Sequence, residues 1–428
     1  MSWTELLGPV AGTPVIGGMI AAEWMRGRVL YAPVTKRYFA DPYPMYERLR
    51  RRDPVHRSYV AGGWVLSRYS DVEKVLRDPR YSADERNFFL FDHIWRRRAK
   101  YRPDPEAPYR PSMLRLDGAD HSRLRGLVNK AFTPRAVEKL RPRIEAIVAE
   151  RVDAALAAGR FDAIAGLATP LPVTVIAEML GIPEKDFARF KSWSEDVVRI
   201  LGLADGEDVR RARFAERNLA EYIDALARER RREPGDDLLS ALVMAEEEGD
   251  TLSFDELVGT CILLLVAGNE TTTNLIGNGL HALLRDPQAW RALCDDPDLA
   301  GEAVDELLRY DAPVQLTSRF VVEEEAFRGR LFKPRQQIVL LLGAANRDPE
   351  RFSNPNRLEF DRPESRHLSF SQGQHFCLGA PLARLETQVA LATLARRCPS
   401  LHIDPGAKLE WRHHTLLRGL HALPLVTS

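Results

Sequence analysis

The distribution of apolar residues predicts a chain built mostly of helices. From Phe254 to Leu284 the sequence is largely apolar, free of proline and long enough to pass through the middle of a core as one helix. Helical periodicity recurs from Pro134 to Ala158, from Arg210 to Arg231, from Asp286 to Arg309 and from Ala380 to Arg397, the last rich in helix formers such as Leu382, Ala383, Leu385 and Ala390. Val314 to Val322, set off by Pro313, reads as strand-like. No Gly/Ser linker, low-complexity stretch or internal repeat divides the 428 residues, so a single body is expected although the length exceeds that of a usual core. Residues 1–35 read as an irregular extension. Their apolar run, Val10 to Ala22, is too short to span a bilayer and carries Pro14 and three glycines.

Two polar interruptions carry the chemistry. Inside the long apolar helix stands Gly268-Asn269-Glu270-Thr271-Thr272-Thr273. The Thr271 hydroxyl can bond the carbonyl of Ala267 one turn back, which weakens the helical ladder and opens a local groove; the plainer alternative is a polar patch that bends a core helix. The second interruption is Phe370-Ser371-Gln372-Gly373-Gln374-His375-Phe376-Cys377-Leu378-Gly379. Gly373 and Gly379 let the backbone around Cys377 turn sharply and lie against a flat cofactor. The helix expected from Ala380 leaves Cys377 at or just before an N-terminus, where the dipole and free N–H groups favour a thiolate. A thiolate on haem iron pushes electron density that favours O–O cleavage. The alternative is a buried structural cysteine, the usual fate of a free thiol. The four cysteines, at 261, 294, 377 and 398, form no Cys-x-x-Cys pair, so neither a zinc cluster nor a disulfide framework is implied, and Cys261 reads as core.

With these segments the chain resembles the cytochrome P450 family, in particular its soluble bacterial members, from about residue 36 to the end. The resemblance implies a mainly α fold with small β-sheets, a 36–428 domain, and haem b held between the central helix and the cysteine loop. It implies Cys377 as iron ligand, Phe370 beside the sulfur, His375 near a propionate, and Ala267, Gly268 and Gly379 against the cofactor. Ser371 departs from the glycine that many members carry there. Thr271 and Glu270 take the catalytic places, the hydroxyl supporting oxygen activation and the carboxylate feeding protons inward.

Two further motifs gain meaning only from position. Glu-x-x-Arg occurs at Glu306/Arg309 but also at Glu23/Arg26, Glu47/Arg50, Glu207/Arg210 and Glu229/Arg232, because that spacing supports any exposed helix. The resemblance selects Glu306 and Arg309 as the buried pair that holds the cysteine loop, with Arg362 as a third partner. His-x-x-x-Arg is equally common. His121 and Arg125 stand out because they follow Leu116-Asp117-Gly118, a turn and cap signal, and share one helical face. The resemblance assigns them, with Arg319, to the haem propionates.

The 61 basic and 61 acidic residues cancel and are spread along the chain, which gives a nucleic-acid role no support. Too few residues follow Cys377 for a flavin or ferredoxin domain, so electrons are expected from a separate ferredoxin or flavodoxin, with Arg123, Lys130, Arg135, Lys139, Arg366 and Arg384 as a possible basic docking patch. The aromatic run from Phe88 through Phe89 and Leu90 to Trp95 suggests an apolar substrate, although a loop anchored in the core would read the same way. By resemblance Leu263, Val266 and Ala267 of the central helix line the pocket. So do Val314, Gln315 and Leu316, and near the end Leu416 and Leu417. The reaction implied is hydroxylation or epoxidation of a hydrophobic small molecule with O₂, by a cytoplasmic monomer without a membrane anchor. A peroxide-driven haem enzyme and a non-catalytic haem protein are the rival readings.

Overall fold

Proline decides where the helices break. The structure, a computed structural model, describes residues 18–19, 22–23, 25, 29–90, 112–201, 206–247 and 252–427. Its main helices are α1 (Tyr43–Arg52), α2 (Tyr69–Arg77), α3 (Gly118–Asn129), α4 (Arg141–Ala158), α5 (Pro170–Met179), α6 (Phe187–Val198), α7 (Gly206–Arg232), α8 (Phe254–Leu284), α9 (Ala300–Tyr310) and α10 (Ala380–Arg397). The central and last helices keep the bounds expected from their pattern. The stretch 134–158 does not: it splits into Pro134–Glu138 and α4, because Pro142 fits only the first turn of a new helix. The stretch 286–309 likewise divides into Pro287–Asp295, a 3₁₀ turn at Pro297–Leu299 and α9, with Asp296 accepting the Asp298 N–H at the break.

The long helix α8 begins in a capping box, in which Ser253 and Glu256 satisfy each other's backbone N–H. It packs against α5, α6, α7, α9 and α10 at the centre of the largest core. Leu275, Ile276, Leu280 and Leu283 are each buried there, worth about 1.5–3 kcal/mol apiece in area removed from water. Close approach on that helix needs glycine, since a Cβ at Gly277 would lie 2.4 Å from Ile164.

Beside the helices lies a five-stranded sheet of β1 (Val55–Ser58), β2 (Gly63–Leu66), β3 (Tyr81–Ser82), β4 (Thr317–Val321) and β5 (Gln337–Leu340), in the order β1-β2-β5-β4-β3. Only β2 and β5 run parallel, with Val65 opposite Val339. Period-two alternation divides its side chains: Trp64, Leu66, Ile338 and Leu340 enter one core, Val65 and Val339 another built on Tyr38, Tyr46 and Leu49. The strand expected at 314–322 pairs continuously only over β4, while Val314 forms a lone bridge to Leu417. Among the described residues no helix is long and apolar enough to cross a membrane.

Two acids pin segments that have no ladder of their own. Glu306, 5 % exposed, receives Nε and Nη2 of Arg309 at 2.7 Å each, Nε of Arg362 at 3.2 Å and the Glu359 N–H at 3.0 Å. Arg309 continues to the carbonyls of Asn346, Pro355 and Arg357, so one charge cluster ties α9 to the chain that leads to Cys377. Asn346 carries the tie further, donating to Ser369 Oγ and accepting the Leu368 N–H, both at 2.7 Å.

Glu23 lies within the stretch expected to be irregular, in a spacing expected on an exposed helix, yet it is 2 % exposed. Its Oε1 accepts Ser58 Oγ and the Tyr59 N–H at 2.6 Å and the Val60 N–H at 3.2 Å, which fills the turn between β1 and β2. His56 stands between Glu23 (3.5 Å) and Asp53 (2.9 Å), and Arg330 lies 3.6 Å beyond Asp53. Arg50 departs from the exposed-helix reading as well, being buried against Asp348 and the Ala344 carbonyl.

Replacing Glu306 by Gln leaves two buried guanidinium groups facing an uncharged amide. The expected loss is about 3–5 kcal/mol of stability, read as a lower midpoint in thermal or urea unfolding. His56 generates a pH prediction. Burial, the largest single effect, lowers its pKa, but Asp53 and Glu23 outweigh burial and raise it to about 9. A raised pKa means that the stabilisation is fully present below the ordinary value of 6.5 and is lost as pH climbs through about 9. Urea unfolding of the native protein and of His56→Gln should therefore differ by on the order of 2 kcal/mol at pH 6 and converge by about pH 10. A gap that stays constant over that range contradicts the charged clamp.

Candidate active site

Cys377 is placed by the last residues of an irregular loop. Its N–H donates to the Phe370 carbonyl at 2.8 Å, and the 3₁₀ turn Gly373–His375 lies between them. Gly373 has φ +70°, and a Cβ there would stand 2.6 Å from the Leu76 carbonyl at the end of α2, so both the turn and the contact exclude a side chain. Ser371 takes φ +63° without being glycine, and its Oγ is buried with no partner among the described residues. Gly379 differs: its φ is −81°, and a Cβ would meet nothing within 4 Å. Helix α10 starts at Ala380, three residues beyond the cysteine. Burial pushes the Cys377 thiol up, opposed by the N–H groups of Gly379 and Ala380 and by the charges of Arg125 and Arg384.

Next to this loop the fold gathers basic side chains. The rings of His121 and His375 lie 4.4 Å apart. His375 Nε2 is 3.3 Å from Asp117 Oδ1, and Asp117 also accepts Ser82 Oγ and the Ala83 N–H. Burial would raise the Asp117 carboxyl, but those three partners together hold it well below the ordinary range. The signal at 117–118 was read as a helix cap; the Asp117 side chain makes no cap bond and serves His375 instead. His121 is 2 % exposed, and its Nδ1 has no partner among the described residues. Burial, His375 and Arg125 push its pKa down to about 4. Arg319, 4 % exposed on β4, donates to the Ser318 carbonyl, and burial draws it down to about 10. Arg125 donates to the Phe376 carbonyl at 2.7 Å. Neither arginine forms an ion pair among the described residues, although for Arg319 a buried cation without one is costly.

This arrangement fits an anionic group with two carboxylates. Among the described residues no three His, Cys, Asp or Glu side chains cluster as metal ligands. A metal at Cys377 therefore needs most of its ligands from a molecule other than the protein, which a porphyrin with propionates supplies.

On α8, Ala267 is exposed in a helix whose other residues are buried or half-buried, with Leu263 and Thr271 half-buried one turn to either side. These three share a face. Thr271 Oγ1 donates to the Ala267 carbonyl at 2.6 Å, and α8 runs on without a break at this point. Thr273 is turned elsewhere, to the Ala168 carbonyl at 3.0 Å. Glu270 is buried and its carboxylate pairs with Arg412, whose Nε reaches the Leu420 carbonyl at 3.2 Å.

The candidate pocket residues separate into groups. Leu263, Val314 and Leu416 are half-buried against the main core, where Val266 and Leu417 are buried. Leu316 packs on the tyrosine cluster. Gln315 does not belong with a pocket: it is 2 % exposed, donates to the Ala312 carbonyl at 2.7 Å and to Tyr43 Oη at 3.4 Å, and presses against Gly343. Phe89 and Leu90 are 50 % and 37 % exposed at the sheet edge, where Phe88 meets the Phe89 ring edge-on and the Phe320 ring at a tilt, so Phe88 anchors the loop while the other two are largely exposed. The rest of that run, 91–95, lies outside the described residues. Two of the six cations of the basic patch are already engaged, Arg123 by Glu256 and Arg384 by Asp305. Asp117, Arg412 and Asp305 were missed. Only Asp117 had a usable signal, its place four residues before His121.

The model of the family described as Cytochrome P450 matches residues 185–420. The cytochrome P450 monooxygenase PikC of Streptomyces venezuelae is 43% identical over 397 residues, covering 91% of each chain. The vitamin D(3) 25-hydroxylase of Pseudonocardia autotrophica is 39% identical over 91% of this chain and 94% of its own. Among solved structures, the bacillaene polyketide synthase cytochrome P450 PksS of Bacillus subtilis superposes with a TM-score of 0.84 at 37% identity, over 93% of this chain and all of that one. Related at this level along nearly its whole length, and with its central helix and cysteine loop inside the range that the family model matches, the chain belongs to the cytochrome P450 family of haem-thiolate monooxygenases.

Proposed function

We propose that the protein binds haem b with the Cys377 sulfur as iron ligand and inserts one oxygen atom of O₂ into a hydrophobic small molecule, by hydroxylation or epoxidation. The observation that carries this reading is a group of basic side chains, buried His121 and Arg319 with half-buried Arg125, gathered beside a cysteine whose ionised form Arg125 and Arg384 favour against the effect of burial. Arg125 and Arg319 would pair with the propionates, and the orphaned His121 Nδ1 would find its partner there. Bound haem supplies the reduction of dioxygen and the transfer of oxygen to carbon.

The chain's own residues handle protons, water and orientation. Thr271 Oγ1 can hold a proton on the accessible face of α8 that it shares with Ala267. Glu270, anchored by Arg412 at the C-terminal segment, links that face to the outside and can pass protons inward when the pair opens. Leu263, Val314 and Leu416 offer an apolar wall that orients a substrate by shape and keeps water out. Electrons come from a separate ferredoxin or flavodoxin, steered by Lys130, Arg135, Lys139 and Arg366, all exposed. The names of the relatives supply the first compounds to screen, a vitamin D(3)-like molecule and a polyketide.

Product formation from a binder found by its effect on the iron spin state should require a ferredoxin, its reductase and NADPH. Efficient turnover with peroxide alone, and none with the reductase system, would establish a peroxygenase instead. Thr271→Ala should keep binding and reduction while product formed per O₂ consumed falls by roughly tenfold or more, since positioned proton transfer contributes at least that much. Unchanged coupling in that variant removes Thr271 from the mechanism.

A further inference from the structure

Helix α9 carries two adjacent acids that face different partners. Glu306 turns to Arg309 and Arg362, as described above. Asp305 turns to α10 and to the chain just before the cysteine loop: its Oδ1 accepts Arg384 Nε at 2.8 Å and lies 3.3 Å from His367 Nε2. His367 is buried and its Nδ1 accepts the Ser369 N–H at 3.2 Å, which leaves Nε2 as the protonated nitrogen facing Asp305.

The Arg384 guanidinium stands 4.7 Å from the centre of the Phe370 ring, and the His367 ring lies 5.7 Å from the same ring. Phe370 is the residue whose carbonyl takes the Cys377 N–H, so a cation is stacked on the aromatic side chain that begins the cysteine loop. Its neutralising carboxylate comes from α9, the helix that also clamps the rest of the loop.

We propose that Arg384 is a positioning residue for the Cys377 sulfur and that the balance between Arg384 and Asp305 sets the reduction potential of the iron which that sulfur holds. The proposal rests on the assignment of Cys377 as iron ligand. A positive charge near the iron favours the reduced, less positive state, and a negative charge opposes it; both side chains are partly exposed, so solvent weakens each effect without changing its sign. Arg384 and Asp305 therefore act with opposite sign through the same contact. A purely structural pair would not, because breaking it from either side would have the same consequence.

The test is a spectroelectrochemical titration of the haem-loaded protein and of three variants, Arg384→Gln, Asp305→Asn and Arg384→Lys. The potential should fall in Arg384→Gln and rise in Asp305→Asn. It should stay close to the native value in Arg384→Lys, which keeps the charge and guards against loss of fold in the glutamine variant. Shifts in the same direction for the first two, or no shift in either, overturn the proposal. A native protein without thiolate-ligated haem overturns the Cys377 assignment first, and the proposal with it.

Discussion

The position of Cys377 depends on the buried carboxylate of Glu306. The loop that carries this cysteine has almost no sheet ladder or helix to fix it, since the residues from 346 to 379 contain only one short 3₁₀ turn. Glu306 substitutes for both by drawing in two guanidinium groups, which spend their remaining donors on five backbone carbonyls of that segment. Each charge is costly to bury alone and tolerable only while the others remain in place, so the segment has one low-energy arrangement. Asn346 and Ser369 pass the constraint to Leu368 and thus to the first residues of the cysteine loop.

Around that fixed point the remaining charges have an unequal distribution. Asp305 balances Arg384 and Arg412 balances Glu270, while Asp117 lies against His375. Among the described residues Arg125 and Arg319 form no ion pair, and the His121 Nδ1 has no hydrogen-bond partner. The site is thus rigid where the protein neutralises itself and receptive where it does not, and the receptive side is the one that borders the sulfur.

Much of this was legible in the sequence because the strongest patterns are local. The 31-residue span of α8 followed from an apolar run without proline, and α10 from a run of good helix formers. The contact from Thr271 to Ala267 needs only helical spacing. What was illegible depends on segments far apart in the chain. Nothing near Arg412 marks it as the partner of Glu270, 142 residues away, and nothing near Glu23 announces the hairpin turn that encloses it. Gln315 was misread because a polar residue between Val314 and Leu316 fits a pocket wall as well as it fits the amide-lined contact with Tyr43 and Ala312 that it makes. The splits at Pro142 and Pro297 were readable from proline alone and were overridden by periodicity that continued across them. Ser371 shows the reverse case, a residue that accepts a left-handed backbone at a cost of about 1 kcal/mol or more where glycine would take it freely.

The most direct test of the central claim, that Cys377 presents a thiolate to a haem iron, is the absorption spectrum of the reduced protein under carbon monoxide. The account predicts the strongly red-shifted Soret band of thiolate-ligated haem, lost in Cys377→His while haem stays bound. A native protein that shows only the unshifted band of imidazole- or thiol-ligated haem, or a histidine variant that keeps the shifted band, would contradict it.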